Sequence, residues 1–306
     1  MCIRDSAYLG IDAILPAIET EADVVITGRV ADPSLFLAPI VAEYGWARDD
    51  WGRLGQGTMV GHLMECGMQI TGGYFADPGR KDVPRPADCG YPIAEIDADG
   101  TAVITKLRDA GGMVSLATVK EQLLYEVHDP RRYLTPDVTA DFSTATLSET
   151  EKDRVRVAEA GGTARPEQLK VTVGFDGGLL AEAAVSYAGI NAAARARLAR
   201  DILDERFDRM PGIAGGYRID LTGLSSLHAT AGVDEPETSR DVRVRVALRT
   251  MDRTLAEMVL WEVEALLCCG PAGGGGYRGQ ITPGVVTYSA MIDRDRVAPT
   301  VKVLTA

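Results

Sequence analysis

Ala22-Asp23-Val24-Val25-Ile26-Thr27-Gly28-Arg29-Val30-Ala31-Asp32-Pro33 is the stretch on which the fold turns. Its first half is a short apolar, β-branched run ending in glycine, the composition of a strand buried on both faces of a parallel sheet. Before it, Gly10 to Thr20 places Ile11, Ile14, Leu15 and Ile18 at helical spacing. After it, Asp32-Pro33 reads as a helix cap with proline at the first helical position, opening a helix to Tyr44 that stops at Gly45. Helix, buried strand and helix in succession predict the interior of an α/β sheet. The head, Met1-Cys2-Ile3-Arg4-Asp5-Ser6, fits neither a helix nor a targeting signal. It is expected to be non-native. Residues 1–135 are therefore expected to be the C-terminal part of a parallel-sheet α/β domain whose upstream part is missing.

Further along, a helix is predicted from Trp51 to Ile70, with Met59, Leu63, Cys66 and Ile70 as its apolar stripe. Thr71 to Gly90 is a long Gly-, Pro- and Asp-rich loop, and Asp99-Gly100 marks a hairpin between 92–97 and 101–107. Thr118 to Glu121 matches a capping box for a helix ending near His128. From Pro136 the texture changes. Strands are predicted at 138–143, 154–158, 170–175, 180–187, 217–222, 241–249, 285–292 and 300–304, with helices at 192–209 and 252–267. That order is α+β with antiparallel pairing, so residues 136–306 are expected to form a second, mixed or antiparallel sheet domain.

Composition narrows the class. Of 306 residues, 32 are Lys or Arg and 44 are Asp or Glu, giving −12 at pH 7. Twenty acidic and twelve basic residues up to Thr135 leave −8 there and −4 beyond. Neither part has the cationic surplus that binding a phosphate backbone needs, so no nucleic-acid partner is expected. No apolar run reaches membrane-spanning length, and no membrane partner is expected. The five cysteines, Cys2, Cys66, Cys89, Cys268 and Cys269, are odd in number and irregular in spacing. Reduced thiols and a cytoplasmic location are the expectation.

Four constellations bear on chemistry. Thr27, Gly28, Arg29 and Asp32 lie in the strand-to-helix loop where α/β sheets bind ligands, and Arg29 offers a planar cationic fork for carboxylate or phosphate. The plainer reading makes Gly28 a turn, Asp32 a helix cap and Arg29 a partner to a nearby carboxylate; capping alone accounts for Asp32. His62, Glu65 and Cys66 share a helical turn, so His62 and Glu65 are candidate acid–base groups. A zinc reading lacks a second ligand cluster, and no metal is assigned. Gly72 and Gly73 with Lys81 could cradle an anion, or simply connect. Last, Gly273 to Gly276 with Arg278 follows a helix and lacks GK[ST], so it is no phosphate loop. Gly274, Gly275 and Arg278 fit a mobile ligand-covering loop or a backbone nest with Arg278 as well as they fit a structural connection.

Together, Ala7 to Gly10, Val25 to Asp32, Gly61-His62-Leu63 to Gly73, Thr118 to Pro130, Pro271 to Gly276 and Tyr288 to Val303 resemble the acyclic terpene utilisation AtuA family. The likeness runs from Ala7 to the end. Members are longer at the N-terminus, with a glycine-rich opening region that has no counterpart here. The resemblance implies a role in catabolism of citronellol- or geraniol-type compounds or related branched acids, on acyl-CoA or hydroxy-acyl intermediates. The expected activity is a lyase- or hydratase-like step, with His62 or Glu65 as acid/base and Arg29 as anion clamp. The alternative is a non-catalytic binding or assembly subunit partnering a carboxylase or hydratase. No nucleotide or metal motif is complete, so no cofactor is assigned. The expected partners are a small-molecule or acyl-CoA substrate, a second copy of the chain, or a pathway enzyme.

Overall fold

In the computed structural model, which describes residues 2–213, 216–227 and 239–304, the run Val24-Val25-Ile26 belongs to no strand. Val24 is 73% exposed and Ile26 90%, whereas a strand inside a parallel sheet is covered on both faces. Leu9 and Val30 do form a parallel bridge at its end, with the Ala31 N–H donating to Leu9 O at 2.8 Å. It stays an isolated bridge, so this segment does not supply the expected parallel sheet. What forms instead is a mixed α/β chain with several antiparallel sheets and six α-helices among the described residues.

The head that fitted no element is strand β1 (Cys2–Ala7). It is followed by α1 (Ile11–Ile18), α2 (Ser34–Tyr44) and α3 (Trp51–Glu65). Then come β2 (Pro92–Ile96), β3 (Ala102–Lys106), α4 (Leu116–Leu124), β4 (Tyr133–Leu134), β5 (Thr139–Asp141), β6 (Thr146–Glu151), β7 (Arg154–Ala158) and β8 (Gly161–Thr163). The chain continues as β9 (Gln168–Ala188), α5 (Ala192–Asp208), β10 (Tyr217–Thr222), β11 (Asp241–Thr250), α6 (Arg253–Cys269) and β12 (Gly274–Asp293). Residues 300–304, expected as a strand, carry none. The strands expected separately at 170–175 and 180–187 are one: β9 runs through Asp176-Gly177-Gly178, with Gly178 at φ +74°, a backbone that glycine tolerates without strain.

Two compact units divide the chain, residues 5–172 with 289–306, and residues 1–4 with 173–288. In the first, α3 is the central element. Its predicted one-sided stripe is wrong in an instructive way: every residue from Leu54 to Leu63 is buried, so the helix is packed all round. Glycines make that possible. A Cβ on Gly61 would stand 2.5 Å from Pro33 O, and one on Gly55 2.0 Å from Gly161 O, so backbones of α2's entry and of β8 press directly on the helix. Asp50 caps α3 by accepting from Arg53 N–H, and Gly45 ends α2 at φ +62° as its sequence signals. Helix α4 begins earlier than predicted, because Ser115 is the cap and Thr118 its reciprocal partner. Two antiparallel sheets, ordered β2-β3-β7-β6 and β4-β5-β8, complete the unit.

The second unit is built from β9-α5-β10-β11-α6-β12. Strand β11 pairs antiparallel with both β9 and β10, and β12 pairs with β9. This is the split-βαβ, ferredoxin-like arrangement. Val242, Val244, Val246 and Leu248 alternate inward on β11 and meet Ala196, Leu203, Phe207, Val259 and Val263 from the two helices. The opposite face of the sheet is polar.

Candidate functional site

Because α3 is covered on every side, its last turn carries polar side chains into the interior. His62 is 1% exposed. Its ring stacks on Phe142 at 5.7 Å between centroids and tilts against Tyr133 at 5.2 Å. One turn on, Glu65 presents Oε1 at 3.0 Å from His62 Nδ1, the i,i+3 contact that helical geometry provides. The other two polar atoms of this pair, His62 Nε2 and Glu65 Oε2, are buried without a protein partner. Buried polar atoms are normally satisfied, so two unsatisfied atoms in one pair set it apart from ordinary core. Gln122 on α4 fixes the turn by donating to His62 O at 3.0 Å.

Around this pair stand groups from four other segments. Tyr8 follows β1, and its phenol oxygen accepts the Asp32 N–H at 3.3 Å. The Arg29 guanidinium lies over the Tyr8 ring, 5.2 Å from its centroid. Burial pushes the Glu65 carboxyl above the ordinary carboxylate range; His62 pulls it back, and the charges of Asp32 and Glu126 push it further up. Burial likewise raises the Tyr8 phenol, reinforced by Asp32 and Glu65 and opposed by Arg29. Tyr133 is raised by burial and then by Glu65, Tyr8 and Asp32. Both phenols therefore stay protonated through the physiological range. Burial also raises Cys66, which keeps it a thiol rather than a thiolate nucleophile.

A pocket of ≈ 480 Å³, lined by Cys66, Met68, Gly73, Tyr74 and Tyr91 among others, opens beside Glu65. A groove of ≈ 570 Å³ runs past Thr27, Gly28 and Arg29, with Pro299 to Leu304 as its other wall.

The structure thus brings Arg29, Asp32, His62 and Glu65 into one electrostatic neighbourhood, with Thr27 and Gly28 beside Arg29 and Gly73 beside Glu65. Asp32 does not cap α2 through its side chain; Pro33 occupies the cap position. Among the described residues Arg29 forms no ion pair with a carboxylate; its guanidinium lies over the Tyr8 ring. Lys81 pairs with Glu121 and lies over the Phe75 ring at 4.7 Å. Gly73 donates its N–H to Met68 O, and Gly72, at φ +109°, donates to Gln69 O, so neither N–H is free for an anion. Gly274, Gly275 and Arg278 belong to the other unit, where β12 begins at Gly274. The turn before them is pinned by Arg195, which donates to Ala272 O at 2.7 Å. Among the described residues no group of three His, Cys, Asp or Glu side chains is placed to hold a metal ion.

Sequence reasoning passed over Tyr8, Tyr133 and Phe142. They come from different segments, and no spacing links them; only the fold places them around His62.

A family model described as Acyclic terpene utilisation family protein AtuA matches residues 1–303. No curated protein and no solved structure matches the chain. No described helix is long and apolar enough to cross a membrane.

Proposed function

The chain belongs to the acyclic terpene utilisation AtuA family, and from that premise we propose that it transfers protons on acyl-CoA or hydroxy-acyl intermediates of branched-acid catabolism, with Glu65 as the acid–base group. The observation that carries this reading is the division of labour between the Glu65 oxygens. Oε1 is held by His62, while Oε2 is buried, unpartnered and part of a residue that lines a pocket. A carboxyl raised by burial is a better proton carrier near neutral pH than an ordinary one.

In a hydratase-like direction, Glu65 takes a proton from water as the oxygen adds to the β-carbon of an unsaturated thioester, and returns that proton to the α-carbon. The reverse sequence removes the α-proton and releases water. Negative charge develops on the thioester oxygen, where a protonated phenol, Tyr8 or Tyr133, donates a hydrogen bond. His62 orients Glu65 and, in the tautomer protonated at Nδ1, steadies its ionised form. Arg29 takes the anionic group of the substrate.

Calorimetric titration of the chain with a methyl-branched enoyl-CoA tests the reading. Saturable binding that weakens about tenfold in Arg29→Ala, a loss of ~1.4 kcal/mol, together with formation of the hydrated thioester by mass spectrometry, supports it. Binding without turnover points to the assembly-subunit alternative, and affinity unchanged in Arg29→Ala removes Arg29 from the site.

A further inference from the structure

The polar face of the second unit's sheet carries a charge pattern that the Glu65 site does not use. On β11, Arg243, Arg245 and Arg249 alternate with the buried valines and so point away from the helices. Arg218 and Asp220 join them from β10, and Glu182 from β9, on the face set by the registers Asp220↔Arg245 and Arg245↔Ala184. Arg245 is clamped between Glu182 and Asp220, reaching Asp220 Oδ2 at 2.9 Å. Arg218 holds the other oxygen of Asp220 at 2.7 Å. These two arginines and two carboxylates neutralise each other and form a fixed floor. Arg243 and Arg278 are left over: among the described residues neither pairs with a carboxylate, and Arg278 donates to the adjacent Tyr277 O. Both line a pocket of ≈ 400 Å³ with Arg245, Gln280 and the small side chain of Ala184. In a chain of net charge −12, this is a local cationic surplus on a preformed polar floor.

The neighbours of Arg243 add donors. Its register partners are Ser186 on β9 and Thr222 on β10, which places hydroxyl side chains on both flanks of the guanidinium, on the same face. Arg278 stands on β12, across β9 from β11. The two backbones are thus about two strand spacings, roughly 10 Å, apart. Two guanidinium forks that far apart, converging over an alanine, suit two linked phosphoryl groups better than one.

We propose that this face binds the pyrophosphate group of a small phosphorylated ligand, with Arg243 and Arg278 as its charge partners and Ser186 and Thr222 as flanking hydroxyl donors. The site lies within the second unit and stands independently of the Glu65 chemistry. Calorimetric titration of the whole chain with inorganic pyrophosphate, and separately with inorganic phosphate, tests it. The expected result is saturable pyrophosphate binding, at least tenfold tighter than phosphate. Arg243→Gln combined with Arg278→Gln abolishes it, whereas Lys81→Ala, at the surface pair with Glu121, leaves it unchanged. Both arginines are exposed, so an unchanged thermal midpoint will verify that the double variant folds. Absence of saturable heat, equal affinity for the two anions, or undiminished binding by the double variant would overturn the proposal.

Discussion

Glu65 Oε1 lies 3.0 Å from His62 Nδ1, at the end of a helix buried on all sides, so this pair is held by packing rather than by a surface contact. Burial costs the ionised form of Glu65 more than His62 returns. The proton on Glu65 is accordingly bound more tightly in the folded than in the unfolded chain. Its contribution to stability is full below about the unfolded value near 4.5 and is lost as pH rises through the raised folded value. Glu65→Gln stays neutral and keeps an acceptor for His62. The thermal midpoint of the variant, relative to the parent, should rise as the pH climbs above about 4.5 and level off beyond the raised folded value. A difference that stays flat contradicts a raised Glu65.

Asp137 is a structural counterpart, tying together the starts of α1 and α2. It accepts the Ile11 N–H at 2.7 Å and the Ser34 hydroxyl, and it is 3% exposed. Asp137→Ala leaves both donors buried without a partner. Urea unfolding should show a loss of about 1–3 kcal/mol. Asp137→Asn, which retains an acceptor, should lose less.

Gly61→Ala tests the close approach of α3 to the loop that carries Arg29 and Asp32. The added methyl meets Pro33 O at 2.5 Å and Pro33 Cα at 2.9 Å. Backbone atoms cannot rotate away, so a destabilisation of roughly 1–3 kcal/mol is expected. Substrate binding should weaken as well, because Pro33 follows Asp32 directly. Alanine tolerated at both readouts means that the approach is looser than described.

Variants of Arg29 and Lys81 test the proposal that Arg29 is the ligand-binding cation. Among the described residues Arg29 holds no carboxylate, so Arg29→Ala should change stability by no more than about 0.5 kcal/mol while weakening anion binding. Lys81 pairs with Glu121 at the surface. Lys81→Ala should leave substrate affinity unaltered and cost at most about 1 kcal/mol. Reversal of the two binding results would move the anion site to the Lys81 loop.

What the sequence revealed depended on whether the cause was local. Gly45 ending α2, the Asp99-Gly100 hairpin, and the helices over 192–208 and 253–269 each follow from neighbouring residues, and the structure contains them. Val24-Val25-Ile26 has strand composition, but a strand needs a partner, and composition does not name one. The all-round burial of α3 escaped notice because its glycines look weak as helix formers, whereas their meaning is close packing by distant backbone. His62, Glu65 and Arg29 were recognisable as chemistry-bearing residues in two separate motifs. Tyr8 and Tyr133 were not, since aromatic residues far apart in the chain give no sign that they will flank one carboxylate.

The most direct test is deuterium incorporation at the α-carbon of a β-methyl-branched 3-hydroxyacyl-CoA incubated with the chain in D2O, followed by NMR. Proton transfer by Glu65 predicts exchange at the α-carbon that falls by at least about a hundredfold in Glu65→Gln, within the range general acid–base catalysis contributes. Exchange that persists undiminished in Glu65→Gln, or no exchange by the parent chain although the thioester binds, would contradict it.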